Sequence, residues 1–514
     1  MKKLVILIVV ALTILPFFRT GLFDVHDPTS AYRLYTMVET LKSGQFPAAW
    51  SNLLNFGYGY PLHLYYAPLF SYLGALIYYF VGSYEVAVKL GLIISSLVGT
   101  YGIYKLLESR GFYASLLGAV AYTYLPYRAS ALYVRGSYAE FLAMSILPWV
   151  IYFWLKPQNL KKVILPTAIS TALFILSHNT LFLLVAPIIL LIITLFQRQN
   201  LKGVVITFLT TIGLISWFIL PVLFERSFVQ VEFVARITNY QDHFVTLSQL
   251  WTSTWGYGGS ARGISEDGMS FMIGKGQIIL SILGLCGLYK AKKWSLLLLY
   301  SFIVLFSVFL SLSKSEFLWS TLHFLSVVQF PWRSLAVVGL GVAVLSGYSL
   351  EFLPKKFQIV ATLIFSILLI YTNYKYFHPQ SYLNYNQDSL SSQSNLDPLV
   401  RDKIPEYLPV WMPMALPRSA DGLTRTAVSV SGTINVPATT PLVINTAYMP
   451  QWHLRLSGVE QPIKPSQRGL VETVNDVHAG DQLVQLRWQR TPVEMLGLVI
   501  SGMSIIVVIG LLLL

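Results

Sequence analysis

Long runs of apolar residues separated by short polar segments make up most of the sequence. A helix needs about 17 to 25 predominantly apolar residues to cross a bilayer. The pattern therefore predicts an α-helical polytopic membrane protein with about 12 transmembrane helices. The predicted spans centre on residues 4–20, 85–104, 112–127, 139–155, 163–178, 181–196, 203–222, 274–290, 294–312, 334–351, 357–374 and 493–514.

The positive charges predict how these helices are oriented. Lysine and arginine concentrate in the short cytoplasmic loops of membrane proteins. If segment 68–82 does not cross, every short loop on the side of the N-terminus contains lysine or arginine, and these loops are 105–111, 156–162, 197–202, 290–293 and 353–356. We therefore interpret 68–82 as a re-entrant or interfacial helix. Both termini are expected on the cytoplasmic face of the plasma (inner) membrane.

The composition supports a membrane protein, and the absence of several motifs argues against other classes of function. Hydrophobic residues make up 55% of the chain and charged residues 11%, whereas soluble domains have roughly 25% charged residues. The net charge of +13 does not imply a nucleic-acid partner, because positive charge in a membrane protein reflects orientation. The sequence has no Walker loop, CxxC pair, HExxH or GxSxG motif. Nucleotide hydrolysis, structural zinc and serine hydrolase chemistry therefore lack support.

This topology predicts three parts. Residues 1–374 form a transmembrane domain, with a first outer loop at 21–84 and a second at 223–273. Residues 375–492 form an extracytoplasmic domain, and residues 493–514 form a C-terminal transmembrane helix. Most of the polar side chains that could perform chemistry lie in these outer segments or at the ends of the spans.

The 375–492 domain has the alternation typical of β-strands. In 428–436, valine and isoleucine on one face alternate with serine, threonine and asparagine on the other, which is the pattern of a half-buried strand. We expect a small antiparallel β-sandwich that acts as a lid or binds a partner, preceded by a mobile linker at 386–395. The other predicted strands are 441–448, 452–456 and 482–488.

Three ionisable residues lie within four positions of one another just after the first predicted span. They are Asp24, His26 and Asp27. A neighbouring cation keeps a carboxylate ionised, while a medium of low dielectric raises its basicity. The group predicts a general base, with Asp24 and Asp27 as alternatives. The same two carboxylates could bind a divalent cation such as Mg²⁺ or Mn²⁺.

The residues after this acidic group predict a helix over 29–44. Thr29 or Ser30 can cap its N-terminus, and Gly44 can end it. Arg33 would then lie about one turn into the helix, near its positive N-terminal end. We therefore include Arg33 among the candidate substrate-binding residues.

Further ionisable groups occur at the outer ends of predicted spans. Such residues are functional candidates because burying them in hydrocarbon is costly. Several arginines around one cavity would suit a phosphate, which a guanidinium binds in bidentate geometry. Each arginine could equally anchor a lipid headgroup. The candidates are Arg128, Arg135, Glu140, His178 and Arg333.

An aromatic segment rich in glycine and proline, residues 54–73, precedes the predicted 68–82 helix. Its composition predicts an irregular turn. Tyr58 and Tyr60 in this turn are candidate substrate contacts, because aromatic rings stack on sugar faces and shield apolar chains. Anchoring at the membrane interface is the alternative.

A series of short motifs runs in order through nearly the whole chain: HDP (26–28), LKSGQFPAAW (41–50), GYGYPLHLYYAPL (57–69), RGSYAE (135–140), SHN (177–179), WGYG (255–258), QFPWR (329–333), EYLP (406–409) and YMPQW (448–452). Together with the predicted architecture, they resemble the GT-C class of polyprenyl-phosphate-dependent glycosyltransferases. Within that class the chain most resembles bacterial proteins labelled 6-pyruvoyl-tetrahydropterin synthase-related membrane proteins, and more distantly YfhO-type proteins. The label implies no pterin chemistry here.

The resemblance implies an enzyme that transfers a sugar, with inversion, from a polyprenyl-phosphate donor to a glycan, lipid or protein acceptor outside the cytoplasm. Asp27, with Asp24 and His26 beside it, would take the proton of the attacking hydroxyl. Arg135, Arg333 and Arg128 would hold the departing lipid phosphate. Relatives often have a histidine four residues after the acid, where this chain has Ala31.

Two other functions remain as hypotheses. A transporter or flippase of a lipid-linked intermediate usually has its polar site near the midplane, on broken helices in paired halves. The sequence shows no such pair of broken spans. A non-catalytic assembly factor for cell-envelope polymers would use the outer sheet to recruit partners. The glycosyltransferase is the leading hypothesis.

Overall fold

A computed structural model describes residues 2–158, 161–231, 239–263, 266–384, 387–413 and 421–513. The chain forms two compact units. The first unit comprises Met1–Ser30, Glu85–Thr211 and Thr238–Asn384, and the second comprises Ala31–Tyr84, Ile212–Ile237 and Tyr385–Leu514. Each unit thus combines segments that are far apart in the sequence.

Each of the twelve predicted spans contains a helix. In the described part of the chain, seven helices are long and apolar enough to cross a membrane: Tyr84–Leu106, Asn179–Phe196, Arg198–Phe224, Trp294–Ser311, Pro331–Phe352, Lys355–Tyr376 and Pro492–Leu512. The other helices are Lys2–Ala11, Thr29–Lys42, Leu62–Tyr65, Leu69–Val81, Phe112–Thr123, Pro126–Ala129, Tyr138–Trp154, Lys161–Ser177, Leu247–Trp251, Lys275–Lys290, Glu316–Thr321, Gln387–Ser391 and Gln393–Asp402. The predicted helical class is confirmed, while the number of crossings stays a prediction.

The predicted span at 112–127 is wrong at its C-terminal end. The helix stops at Thr123, and Leu125 has an extended backbone with φ −70° and ψ 125°. Pro126 explains the break, because proline disfavours helical geometry in the residue before it and lacks a donor N–H. A short helix at Pro126–Ala129 and a π-helical turn at Ser130–Val134 follow. Arg135 follows directly after this turn.

In the first unit, the helix Leu335–Tyr348 is buried along its whole length. It packs against the helices Phe112–Thr123, Lys275–Lys290 and Trp294–Ser311. Glycine allows one of these contacts to be very close, since a Cβ built at Gly284 would lie 2.0 Å from the carbonyl oxygen of Leu345. Small residues at helix interfaces are typical of membrane proteins, where they let backbones approach.

Replacing Gly284 with leucine is expected to lower stability, because the new side chain would collide with the Leu345 backbone. Overpacking of this kind costs about 1–3 kcal/mol, which a lower melting temperature of the purified protein would report. Gly502→Leu is the matched control, since no atom lies within 4 Å of a Cβ built there. Equal losses in both variants would contradict the close contact.

The first unit contains a short antiparallel pair of strands, β1 (Leu22–Phe23) with β2 (Tyr382–Leu383).

The second unit contains two antiparallel sheets. Their strands are β3 (Thr424–Arg425), β4 (Ser429–Val436), β5 (Thr440–Ala447), β6 (Trp452–Leu456), β7 (Val459–Gln461), β8 (Ile463–Pro465), β9 (Leu470–Val477) and β10 (Gly480–Trp488). The strand orders are β3-β4-β10-β6-β7 in one sheet and β5-β9-β8 in the other. The predicted strand at 428–436 is confirmed as β4, in which Val430 and Val436 are buried while Ser431, Thr433 and Asn435 are exposed.

The predicted linker at 386–395 is wrong where the structure describes it, from residue 387 onward. Gln387–Ser391 and Gln393–Asp402 are helices, and they bury Leu390, Leu396 and Leu399. These leucines are spaced six and three residues apart among polar side chains, so each helix has only a narrow apolar face. That face explains why the segment is ordered despite its polar composition.

The C-terminal helix Pro492–Leu513 packs on the part of Leu201–Phe224 that belongs to the second unit. The Ser501 hydroxyl donates to the carbonyl of Gly213 at 2.8 Å and accepts the amide hydrogen of Trp217 at 3.0 Å. Glu225 follows this contact and accepts the hydroxyl of Thr491. Burial raises the pKa of Glu225 to about 7, while Thr491 opposes the shift and Glu494 adds to it.

Glu225 is expected to make stability depend on pH. The folded chain holds its proton up to about pH 7, whereas an ordinary carboxyl loses it near 4.5. Stability should therefore fall as the pH rises from about 4.5 to about 7 and change no further above that through this group. Glu225→Gln should flatten this part of a melting-temperature profile and raise the value near neutral pH. An unaltered profile would contradict the assignment.

Candidate active site

The candidate site in the first unit begins with backbone contacts between two motifs. The His26 amide donates to the Val134 carbonyl at 2.8 Å, and the Asp27 amide donates to the Arg135 carbonyl at 3.1 Å. Gly136 has a φ of +69°, and a Cβ there would lie 2.7 Å from the Asp27 carbonyl oxygen. Only glycine fits this approach without strain. The HDP segment is thus held against the start of the RGSYAE segment.

The Asp27 carboxylate is partly buried and uses one oxygen locally. Its Oδ1 accepts the amide of Thr29 at 3.1 Å and the hydroxyl of Thr29 at 2.5 Å. The hydroxyls predicted to cap this helix have other partners: Thr29 is its first residue and donates its hydroxyl to Asp27, and the Ser30 hydroxyl donates to the carbonyl of Gly136. Within the described ranges no hydrogen bond occupies Oδ2 of Asp27. This oxygen is available to accept a proton.

Asp24 has a different environment. Its Oδ2 accepts the hydroxyl of Ser381 at 2.7 Å, and its amide donates to the Ser381 carbonyl at 3.0 Å. These bonds extend the short β1–β2 pair by one residue. Asp24 therefore joins two chain segments, whereas Asp27 faces the Arg135 segment.

The loop that contains the WGYG motif contacts the acidic segment through His26, which is exposed. A Cβ at Gly259 would lie 2.7 Å from Nε2 of His26, so the ring rests on the glycine backbone. Gly258 donates to Gly268 at 2.8 Å, and Gly268 donates to Gly259 at 2.9 Å, which closes the base of this loop. The WGYG motif thus lies beside the HDP motif.

Arg135 and Glu140 form the buried centre of the site. Arg135 donates from Nη1 and Nη2 to the two oxygens of Glu140 at 2.9 and 2.6 Å, and Tyr127 donates its hydroxyl to Oε1 at 2.9 Å. The guanidinium also lies 4.4 Å from the centre of the Trp332 ring. Burial alone would lower the pKa of Arg135, but Glu140 and Tyr127 raise it above the ordinary value. Arg135 is therefore a permanent cation whose charge is largely balanced by Glu140.

Arg333 approaches the same carboxylate from the QFPWR motif. Its Nε lies 3.7 Å from Oε2 of Glu140, and its Nη1 donates to the Val328 carbonyl at 2.6 Å. The guanidinium stacks on Phe330 at 4.9 Å, and its side chain keeps 15% of its surface exposed where that of Glu140 keeps none. Glu140 is thus shared by two arginines, of which Arg333 is the more accessible.

His178 and Arg128 have separate environments in the same unit. His178 caps the helix Asn179–Phe196, where its Nδ1 accepts the Leu181 amide at 3.3 Å, and it lies within electrostatic range of Glu140. Arg128 is buried between the rings of Tyr122 and Phe141, at 4.3 and 4.5 Å. Burial lowers its pKa, which Tyr122 offsets in part. The guanidinium of Arg128 thus lies against aromatic rings, whereas that of Arg135 bonds a carboxylate.

The remaining candidates lie in the second unit. Arg33 donates to the Tyr66 hydroxyl at 2.9 Å and lies 3.8 Å above the same ring. Tyr60 is fully buried, donates to the Ile404 carbonyl and accepts the Tyr407 amide at 2.9 Å. Tyr58 is 2% exposed. As placed, both tyrosines contribute to the interior of that unit.

The structure adds residues that the sequence did not single out. Tyr127 bonds Glu140, Trp332 covers Arg135, and Ser381 bonds Asp24. His243 lies 2.8 Å from the Ser260 hydroxyl and packs edge-on against Phe330 at 4.7 Å. Trp332 is part of the quoted QFPWR motif and could have been found there, whereas the others depend on tertiary contacts.

A metal site at Asp24 and Asp27 fits the described residues poorly. No group of three or more His, Cys, Asp or Glu side chains in the described ranges is arranged to hold an ion. Asp24 also directs one oxygen to Ser381, and Asp27 directs one to Thr29. A cation there would need most of its ligands from substrate and water.

A family model described as a 6-pyruvoyl-tetrahydropterin synthase related domain, membrane protein, matches residues 63–379. That range is more than half of the chain. The chain belongs to this family. The match includes Arg128, Arg135, Glu140, His178 and Arg333, and it begins after Asp27.

This family member is also similar to a solved structure, the cryo-EM structure of the arabinofuranosyltransferase AftD from Mycobacteria. The TM-score is 0.51 at 12% identity, over 74% of this chain and 27% of AftD. This level of likeness shows a shared GT-C-like fold. No relative among curated protein sequences matches the chain.

Replacing Glu140 with glutamine is expected to cost about 3–5 kcal/mol of stability, because it leaves the buried Arg135 charge unpaired. The measurement is SDS-induced or thermal unfolding of the purified protein. Arg135→Gln/Glu140→Gln should lose less, since it removes both charges. The surface control is Asp402→Asn, whose ion pair with Arg401 is about half exposed and should contribute little to stability. A double variant less stable than the single one would contradict the pairing.

Proposed function

We propose that this membrane protein transfers a sugar from a polyprenyl-phosphate donor to an extracytoplasmic glycan, lipid or protein acceptor. The single observation that supports it most is the docking of Asp27 on the Arg135 backbone, within the unit that also contains Glu140 and Arg333. A base and two cations in one unit match the demands of glycosyl transfer from a phosphate. The GT-C-like fold supports the same class of reaction.

In the proposed reaction, Oδ2 of Asp27 accepts the proton of the acceptor hydroxyl. The hydroxyl oxygen attacks the anomeric carbon as the bond from that carbon to the phosphate oxygen breaks, and the polyprenyl phosphate leaves with the electron pair. Attack from the face opposite the phosphate inverts the configuration. A nearby carboxylate also stabilises the oxocarbenium-like transition state.

Arg333 is the proposed phosphate ligand. Its partly exposed guanidinium is held by Val328 and Phe330, so it is oriented before substrate binds. Preorganised cations stabilise developing negative charge on a leaving group. Arg135 is assigned a positioning role, because both of its terminal nitrogens already bond Glu140. His178 and Arg128 are proposed to lie around the group formed by Arg135, Glu140 and Arg333, without binding the phosphate themselves.

The proposal includes an orientation. The first outer loop, the 223–273 loop and the 375–492 region would lie outside the cytoplasm, with both termini inside. Asp24 would fix the acidic segment to Ser381, and His26 would contact the second loop. Tyr58 and Tyr60, the other substrate contacts expected from the sequence, are buried in the second unit and are given no part in the proposed reaction, and neither is Arg33.

Asp27→Asn is expected to reduce glycosyl transfer at least about 100-fold, since general base catalysis typically contributes about 10²–10⁴. Asparagine still accepts the Thr29 amide hydrogen, so the fold should hold. The measurement is restoration of envelope glycan in cells that lack the gene, with protein level and melting temperature checked in parallel.

Asp24→Asn is the matched control and should keep most of the activity, because its amide oxygen can still accept the Ser381 hydroxyl. Full activity of Asp27→Asn at normal protein levels would rule out Asp27 as the base. Loss of activity in Asp24→Asn alone would assign the base to Asp24 instead.

A further inference from the structure

The outward face of the five-stranded sheet in the second unit is polar and has a regular arrangement. In β10, Val484 and Leu486 are fully buried, which turns Gln485 and Arg487 to the opposite face. Successive strand residues point to opposite sides of a sheet. The outward side chains of this central strand are thus an amide and a guanidinium.

The neighbouring strand β6 has the same alternation. Leu454 is buried, while His453 and Arg455 are exposed on the outward face. The antiparallel register sets Arg487 opposite His453 and Gln485 opposite Arg455. Directly opposed residues have Cβ atoms about 4.5–5.5 Å apart. Arg455 and Arg487 therefore lie diagonally across from each other on the two strands, and His453 and Gln485 occupy the other diagonal.

On the other side of β10, strand β4 adds hydroxyl groups to this face. Ser429 lies opposite Arg487, and Ser431 lies opposite Gln485. A groove of about 110 Å³ runs over the centre. Its lining residues are His453, Arg455, Glu460, Gln485, Arg487 and Gln489.

The polar atoms of this groove are largely unused by the protein. Over the ranges that the structure describes, no hydrogen bond or ion pair engages the side chains of Arg455, Arg487, Gln485 or Gln489. Glu460 is the lone carboxylate among the lining residues, opposite Arg455 and 3.8 Å from Nδ1 of His453. The groove thus presents two guanidinium groups and two amides against one acid.

We propose that this face binds an anionic polysaccharide. Guanidinium groups bind carboxylate or phosphate in bidentate geometry, and amide and hydroxyl groups can exchange hydrogen bonds with sugar hydroxyls. Alternating charged and neutral donors suit a polymer whose acidic groups are separated by neutral hydroxyls. This binding site extends beyond the proposed transfer reaction and uses none of its residues.

Two other occupants fit these residues less well. Faces that lie on membranes combine apolar side chains with basic ones. None of the six lining residues has an aliphatic side chain, a phenyl ring or an indole ring that could insert into lipid. Peptides that join sheets add to an exposed edge strand, whereas this groove lies on the face formed by β6 and β10. The charge and hydrogen-bonding groups thus favour the polysaccharide.

The test measures binding of the full chain, in nanodiscs of zwitterionic lipid, to oligogalacturonate, a carboxylate-bearing polysaccharide, at low salt. Arg455→Gln/Arg487→Gln should weaken binding at least about tenfold, equivalent to about 1.4 kcal/mol. Glu460→Gln should strengthen it severalfold, because it removes the negative charge in the groove. Both effects should shrink at high salt.

The matched control is Lys464→Gln/Arg468→Gln, which removes two positive charges around β8, in the three-stranded sheet. This control should bind the polysaccharide like the wild type. Every variant should keep the melting temperature of the wild type. Neutral dextran should not bind. Equal binding by the Arg455/Arg487 variant, equal binding of dextran, or capture of phosphatidylglycerol vesicles in place of the polysaccharide would each overturn the proposal. Because the readout is binding, these results are independent of whether Asp27 is catalytic.

Discussion

The ion pair between Arg135 and Glu140 is the interaction on which the candidate site depends. Removing two charges from water costs several kcal/mol per ion, which is recovered only when geometry and additional hydrogen bonds are good. Here the pair is bidentate, Tyr127 donates a further bond, and Trp332 covers the cation. Gly136 lies between the two charged residues, and its turn leaves room for the backbone of Asp27, whose amide bonds the Arg135 carbonyl. The acid thus lies against the backbone of a buried ion pair more than a hundred residues later in the sequence.

The same pair divides the two arginines into different roles. Glu140 can satisfy one guanidinium fully, and Arg135 takes both of its oxygens. Arg333 is left at 3.7 Å with a partly exposed side chain. An incoming anion would therefore meet the charge of Arg333 first, while Arg135 would lose its own partner if it turned toward substrate. Preorganisation of this kind requires no rearrangement at the moment of reaction.

Sequence patterns predicted most elements of the fold, because the spacing of apolar residues follows from the local geometry of helices and strands. All twelve spans contain helices, and β4, β5, β6 and β10 lie where alternation predicted strands. The failures have local causes: Pro126 ends a helix early, and Leu390, Leu396 and Leu399 order a segment that looks like a linker. For the site, the motifs contained Asp27, Arg135 and Arg333. The sequence could not separate Arg135 from Arg128, because only tertiary structure gives one a carboxylate and the other two aromatic rings.

The range of the family match bears on how the proposed chemistry is distributed along the chain. Residues 63–379 include the arginines and Glu140 but neither Asp27 nor the sheets of the second unit. In this chain the cationic centre therefore lies inside the matched range. The segment before that range brings Asp27 to the centre through backbone bonds from His26 to Val134 and from Asp27 to Arg135. Backbone bonds depend little on side-chain identity, apart from Gly136, whose missing Cβ leaves room for the contact. The glycine and the buried ion pair against which Asp27 is placed therefore both lie within the range that the family model covers.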